Sequence, residues 1–348
     1  MRVLFVDTKL TGHHISYAKP LGENKKYESI YFLPEKCEQI NNKQIIMQNN
    51  PQSLLGYIKW IKEILELAKR ERVDIIHFLY GDVLCKFGGF GLKILRKFKV
   101  IITFHQIRRS FLRDLSRKFI FKQIKYGVVH TEILKDTLNS NQIVNLEHIE
   151  YPYLGNVSSI SKLDAKKFFG INNNEIVIGA IGGTRYDKGL DILLEALKSV
   201  DRNFKILIAG KSENFSKEFI EEKSKLYYDK VVPYIKFLDN NELNFALNAT
   251  DIVVLPYRKI FDGASGPLSE GVWLRKPIIG PKHGSLGQII ERYELGLTFE
   301  TENVEDLSNK ISIMIDNGHK WYENSEKYRS KLDVEHFKMK YYELYLKA

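Results

Sequence analysis

Two acidic residues, Asp262 and Glu270, stand eight positions apart around a Ser-Gly-Pro turn in the stretch DIVVLPYRKIFDGASGPLSEGVWLRKPIIGP, Asp251 to Pro281. DIVVLP reads as a fully buried strand, a short apolar run opened by Asp and closed by Pro. After the loop that follows, Gly266 and Pro267 suit a helix start, where proline fits the first turn and free N–H groups point outward. A helix start of this kind can hold a phosphate. The expected arrangement sets Asp262 in the loop over that site and Glu270 in the first helical turn. In that arrangement one acid could reach a sugar hydroxyl and the other a ribose. The plainer alternative is a loop acid plus an acid favoured by the helix dipole.

A second cluster lies upstream in GAIGGTRYDKGLDILLEAL, from Gly179, where a glycine-rich turn follows a strand and precedes a helix. Arg185 and Lys188 sit in that turn, and two cations with close backbone approach suit a diphosphate. The G-x-G-x-x-G spacing of a dinucleotide fingerprint is absent. Two solvated cations in a turn is the alternative. In the first half, TGHH at Thr11 to His14 follows the first strand, and Gly12 there allows close approach. His105 ends the buried strand of ITFH, at the face where open α/β sheets bind ligands. It reads equally as a structural histidine. His13 and His14 are weaker candidates, and His77, inside a strand, is most simply core.

The elements that must position these residues alternate along the chain. RVLFVD, VDIIHFLY, KVIITFH and YGVVH are short apolar strands in the first half, with SLLGYIKWIKEILELAKRE an amphipathic helix among them. EIVIGAIGG, LDILLEALKSV as a helix, FKILIAG, YIKFLD and DIVVLP repeat the style in the second half. Alternation of this kind argues for parallel sheets with helices on both faces, in two Rossmann-like halves. IEYPYLGNVSSI reads as the linker between them. The expected boundaries are 1–155, 156–330 and a C-terminal segment 331–348, whose Phe337, Tyr341 and Tyr345 fall at helical spacing and should pack.

At 348 residues, with 44% hydrophobic and 28% charged residues, the chain is ordinary for a globular protein of two domains. Cys37 and Cys85 form neither metal-ligand spacing nor a disulfide framework, which favours a reducing setting. The apolar run in MRVLFVD is too short for a secretory signal core, and no segment approaches a membrane span, so the expected location is cytoplasmic. The charge of +10 is concentrated: from Lys86 to Lys125 there are twelve Lys and Arg against one acid, Asp114. Within it, RRSFLRDLSRKFIFKQIK, 108 to 125, winds into a helix with Phe111, Leu112, Leu115 and Phe119 on one side. Arg109, Arg113 and Arg117 run along another. Arg108, Arg109, Phe111, Arg113, Arg117 and Lys118 thus form a candidate membrane or acceptor patch, since basic aromatic helices bind anionic lipid surfaces. The alternative is a helix packed on its own domain with a solvated basic side. No nucleic-acid recognition motif accompanies the patch.

The acidic pair, the flanking strand ending in Pro-Tyr, the later Lys-Pro-Ile-Ile and the Arg-x-x-Lys-Gly element resemble family-four retaining glycosyltransferases, glycosyl transferases group 1, of the GT-B fold. The first acid is usually Glu there, and Asp262 is shorter by a methylene. Gln288 stands near a place where the family often has Glu. The resemblance implies an α/β chain of two Rossmann-like domains with parallel sheets facing a central cleft, an acceptor-binding one over 1–155 and a nucleotide-sugar-binding one over 156–330. The segment 331–348 would cross back to the first. It implies that Arg185 and Lys188 hold the donor diphosphate and offset charge on the leaving group. Asp262 would contact the transferred sugar and Glu270 the ribose. Ser265, Gly266, Pro267 and Leu268 would face sugar and phosphates through the peptide, Gly12 would lie against the donor, and His105 would orient or deprotonate the acceptor. Such an enzyme is a retaining hexosyltransferase that needs no metal or other cofactor, consistent with the absence of Asp-x-Asp from the chain. With the basic patch, a lipid-linked saccharide acceptor of surface polysaccharide synthesis at the inner face of the membrane is expected. A nucleotide-sugar epimerase, a phosphorylase and a non-catalytic membrane scaffold remain as alternatives. A phosphorylase would need a cofactor lysine that is not evident.

Overall fold

The computed structural model describes residues 1–10, 13–105, 111–139, 145–155, 160–261, 263–318 and 320–348, with the side chains at 13, 111–113, 137 and 139 left out. Contacts divide the chain into two compact units, Met1–Leu154 with Val334–Ala348, and Gly155–Asp333.

In the first unit the described residues form seven strands, all parallel: β1 (Arg2–Val6), β2 (Glu28–Leu33), β3 (Lys43–Ile46), β4 (Ile75–Phe78), β5 (Lys99–Phe104), β6 (Tyr126–Val129) and β7 (Leu146–His148). Their order is β3-β2-β1-β4-β5-β6-β7, so the winding reverses between β1 and β4. Strands buried on both faces read as unbroken apolar runs, as Val3, Leu4, Phe5 and Val6 do. On one face the helix Leu54–Arg70 buries Tyr57, Trp60, Ile61, Ile64, Leu67 and Ala68, a helical period, under the cap of Ser53. On the other lies the C-terminal helix Val334–Lys347, whose Phe337, Tyr341 and Tyr345 are fully buried. Polar contacts hold it: Tyr341 Oη lies 2.5 Å from Tyr17 Oη and 2.9 Å from Thr103 Oγ1, and Tyr345 Oη 2.7 Å from His77 Nδ1. His77 is therefore a core residue. Its imidazole stays neutral, because burial pushes its pKa down to about 3.

The second unit has six parallel strands among the described residues: β8 (Val177–Ile181), β9 (Lys205–Gly210), β10 (Val231–Ile235), β11 (Ile252–Val254), β12 (Ile278–Pro281) and β13 (Gly296–Phe299). The order β10-β9-β8-β11-β12-β13 reverses between β8 and β11. Loops leaving the carboxyl ends of these two strands open at the topological switch point, where open α/β sheets bind ligands. The expected strand YIKFLD sits earlier, at Val231–Ile235, because Asp239 is spent otherwise: it caps the helix Asn240–Ala249 in a reciprocal box with Glu242. LDILLEALKSV is helical only over Leu190–Ala196 before tightening into a 3-10 turn, Leu197–Ser199.

Candidate functional site

The loop after β8 begins where two backbones touch. Gly210, at φ 151°, passes so close to Gly182 that a Cβ on it would lie 2.1 Å from the Gly182 carbonyl oxygen. Only glycine fits there. Thr184, buried, then fastens the loop by donating from its hydroxyl to Phe215 O at 2.7 Å and accepting from Glu213 N at 2.9 Å. One 3-10 turn, Tyr186–Lys188, follows and ends at Gly189, whose φ of 62° and 2.1 Å Cβ approach to the Pro256 oxygen again require glycine. Arg185 is held by Asp187 in a fork, Nε to Oδ1 at 2.9 Å and Nη2 to Oδ2 at 2.7 Å. That pair pushes the guanidinium pKa up, so Arg185 is always charged.

The loop after β11 runs through Pro256 and Tyr257 to the helix Gly266–Trp273. Ser265 is its N-cap, with proline in the first turn, as the Ser-Gly-Pro sequence predicts. Two expectations change in detail. The Ser265 hydroxyl accepts from Leu268 N at 3.3 Å, so the Leu268 N–H is spent on the cap, and Pro267 has none. The outward donors of this helix start are thus the N–H groups of Ser265 and Gly266. Glu270 sits in the second turn rather than the first, one residue beyond Ser269, whose N–H already bonds Ser265 O at 3.1 Å. It is therefore not a first-turn acid of the helix dipole. Asp262 lies outside the described residues.

The two loops converge. A Cβ on Gly182 would lie 2.7 Å from Lys188 Nζ and 3.7 Å from Pro267 Cγ, and one on Gly266 would lie 3.7 Å from Glu270 Oε1. Lys188 Nζ stands 5.7 Å from the centre of the Tyr257 ring, and the Tyr257 hydroxyl is 3.2 Å from Ser265 Oγ. A small cavity is lined by Gly182, Gly183, Thr184, Lys188, Pro256 and Tyr257. Burial pushes the Glu270 carboxyl up to about 7, and the Lys188 charge pulls it back down. The site can thus offer a fixed guanidinium, an ammonium, two peptide N–H groups and a carboxyl poised near neutrality. Anionic oxygens suit the first three and hydroxyls the last.

In the first unit, His105 follows β5 and its Nε2 bonds Leu79 O at 3.0 Å. Its ring stacks on Tyr80 at 4.0 Å, and burial and the neighbouring His130 hold its pKa well below the ordinary value. Tyr80 is sandwiched, with His14 on it at 3.7 Å. His14 Nδ1 lies 2.9 Å from both carboxylate oxygens of the buried Asp7, which orients the ring. His14 is given little weight by the sequence; an acid at the end of the first strand, Asp7, with a histidine seven residues on at a helix start is the weak signal that could have found it. Gly12 lies outside the described residues, as do Arg108 and Arg109, and the side chains of Phe111 and Arg113 are not described.

The basic patch is arranged differently from the expectation. On the helix Phe111–Phe121, Arg117 is 4% exposed and paired with Asp114, whereas Leu115 and Phe119 are 59% and 44% exposed. The buried stripe is Ser116, Arg117, Ile120 and Phe121, because Ile120 and Phe121 fix the phase against the core. Leu115 and Phe119 share the outer side with the exposed Lys118. Ser116 donates to Cys85 O at 3.0 Å, which brings the neighbouring segment alongside, where Phe90 and Ile94 are also exposed. Among the described residues no helix is long and apolar enough to cross a membrane.

Residues 161–331 match the family model of glycosyl transferases group 1. An uncharacterized glycosyltransferase of Methanocaldococcus jannaschii is 25% identical over 299 residues, covering 81% of this chain and 78% of that protein. The fold is shared with sucrose-phosphate synthase from Thermosynechococcus elongatus, at TM-score 0.78 and 15% identity over 99% of this chain and 98% of the other. It is also shared with Anabaena HepE, solved in complex with UDP, at TM-score 0.78 and 14% identity over the whole of both chains. Two Rossmann-like units with parallel sheets are the GT-B architecture, and through residues 161–331 the chain belongs to the glycosyl transferases group 1, which makes it a glycosyltransferase.

Proposed function

We propose that this glycosyltransferase moves a hexose from a nucleoside diphosphate sugar to a saccharide acceptor, with retention at the anomeric carbon and without a metal. The observation that carries the reading is the convergence of Lys188 and Glu270, from two separate motifs, at the switch point between β8 and β11. In this reading Arg185 and Lys188 hold the diphosphate. As the bond from the anomeric carbon to the phosphate oxygen breaks, they take up the charge that grows on the leaving group. The N–H groups of Ser265 and Gly266 and the helix behind them add to that field. Glu270 accepts from the ribose hydroxyls, and Asp262 contacts the transferred sugar. With two side-chain cations and a helix start assigned to the diphosphate, no divalent ion is assigned a role. HepE has been solved with UDP and with UDP-glucose, which supports a nucleotide sugar as donor. His105 is assigned to orient the acceptor. Its neutral imidazole, with Nε2 engaged by Leu79 O, offers only Nδ1 to a ligand.

The acceptor is assigned as a lipid-linked saccharide of surface polysaccharide synthesis, reached by peripheral binding at an anionic membrane. Support comes from the outward Leu115 and Phe119 beside Lys118, and from Phe90 and Ile94, which are exposed as well. Apolar side chains that enter the headgroup layer and lysines that meet anionic lipid are the two halves of such a surface.

The test is release of nucleoside diphosphate from UDP-glucose, GDP-mannose and ADP-glucose by wild type, Lys188→Ala and Glu270→Ala, with the fold checked by circular dichroism. Turnover by wild type that both variants lose supports the reading, and the anomeric configuration of product, read by NMR, decides retention. Unchanged turnover in either variant, or full activity lost only on adding a chelator, contradicts the corresponding part.

A further inference from the structure

Arg258 belongs to the loop after β11, yet its N–H and its guanidinium reach the loop after β8. The backbone N–H donates to Asp187 O at 2.9 Å, and Nε donates to Tyr186 O at 3.0 Å. Nη2 pairs with Asp191, and the guanidinium plane lies 4.1 Å over the Tyr186 ring. The side chain is 11% exposed. A buried guanidinium holds its place only when its N–H groups are satisfied. Here Nε is satisfied by the backbone of a three-residue turn, Tyr186–Lys188, and Nη2 by Asp191 in the helix that follows it, while Nη1 lies 4.0 Å from Glu302.

The next link is Asp187, whose backbone Arg258 fixes and whose carboxylate takes the Nε and Nη2 side of Arg185. A guanidinium is a rigid plane with five N–H groups, so a fork on that side leaves Nη1 and the outer N–H of Nη2 for a second fork at the end. Lys188 is the following residue on the same turn. Because the side-chain freedom of Arg185 is already lost to Asp187, an anion that takes the free edge does not have to order it.

We infer that Arg258 and Asp187 are positioning residues of the diphosphate site, a step that rests on the assignment of Arg185 and Lys188 made above. Arg258 fixes the turn, the turn places the Asp187 carboxylate, and Asp187 aims the free edge of Arg185 at the diphosphate that Lys188 also meets. Electrostatics alone gives the opposite sign for Asp187: a carboxylate beside an anion site repels the ligand, and its neutralisation strengthens binding.

The experiment is calorimetric titration of the full chain with inorganic pyrophosphate, for wild type, Asp187→Asn, Arg258→Lys, Arg185→Ala and Lys188→Ala, with thermal unfolding of each. Asp187→Asn should weaken binding about tenfold, the size of one misplaced charge-assisted hydrogen bond, although it removes a negative charge. Arg258→Lys keeps the charge and the reach to Asp191 but not the Nε contact or the plane over Tyr186. It should weaken binding by a similar factor while the unfolding midpoint stays near wild type. Asp187→Asn binding pyrophosphate as tightly as wild type or tighter overturns the inference, and so does Arg258→Lys with wild-type affinity. A wild type that does not bind, or Arg185→Ala and Lys188→Ala variants that bind unchanged, overturns the diphosphate assignment itself and the inference with it.

Discussion

Glu270→Gln should stabilise the second unit in alkali and leave it nearly unchanged in acid. The carboxyl of Glu270 is pushed from 4.5 up to about 7 by burial, against the pull of Lys188. A folded-state pKa above the unfolded one means that the folded state binds the proton more tightly. The cost of ionising the buried acid is therefore absent below pH 4.5, grows between 4.5 and 7, and is complete above 7. A difference of that size corresponds to about 3 kcal/mol at pH 8 and less than about 1 kcal/mol at pH 5, as upper values for a carboxyl that keeps some contact with water. Glutamine keeps the shape and never ionises. For a unit of this size the midpoint of Glu270→Gln should rise by about 6–12 °C over wild type at pH 8 and by no more than about 3 °C at pH 5. Differential scanning calorimetry at the two pH values measures this directly. A gain of equal size at both pH values, or a loss at pH 8, would refute the claim that burial strains Glu270. The same variant should bind nucleoside diphosphate more weakly, because a carboxylate that accepts from two hydroxyls has been replaced by a group that accepts with one oxygen.

Donor affinity of the wild type should itself fall as pH drops below 7, by about tenfold per unit once Glu270 is protonated, and Glu270→Gln should lack that dependence. The first unit should respond to acid in the other direction from Glu270: burial holds His77 near pKa 3 and His130 near 4, so both are neutral when folded and charged when unfolded. Stability is lost as pH falls from 6.5 through 4, and hydrogen exchange in β4, β5 and β6 should accelerate there; exchange independent of pH in that window would contradict it. Gly189→Ala should cost about 1–2 kcal/mol for the left-handed backbone plus the contact with Pro256 O, and calorimetry should show a lower midpoint together with weakened pyrophosphate binding. Leu115→Glu with Phe119→Glu should abolish sedimentation with phosphatidylglycerol vesicles while leaving turnover of a water-soluble acceptor intact; wild-type sedimentation by the double variant would remove the membrane assignment.

What could be read from the sequence was local. Apolar runs such as Val3 to Val6 and Ile178 to Ile181 gave strands because a doubly covered parallel strand has no polar face to interrupt it. Ser265, Gly266 and Pro267 announced a helix start because cap chemistry acts within three residues. Several strands were not read: β2, although it is interior and nearly all buried, β3, which is half-exposed, β7, which has three residues, and β12 and β13, which follow a turn with no period of their own. On the helix Phe111–Phe121 the expectation that failed is Arg117, which the sequence puts on a solvated basic side and the structure buries, whereas Leu115 and Phe119 do face outward. The adjacent Ile120 and Phe121 fix the rotation of the helix, and Arg117 is admitted to the buried side by Asp114. Arg258 carries no sequence signal, since its partners are set by where loops of a parallel sheet come out, and the Asp7–His14 pair shows only as an acid and a histidine seven residues apart.

The most direct measurement is calorimetric titration of wild type and Lys188→Ala with UDP, GDP, ADP and CMP. The account predicts that one nucleoside diphosphate binds wild type, that CMP binds more weakly than that diphosphate for want of a second phosphate, and that Lys188→Ala loses the diphosphate affinity while remaining folded. Folded wild type that binds none of the four, or Lys188→Ala that binds a diphosphate as tightly as wild type, would contradict a nucleotide-sugar site built from the loops after β8 and β11.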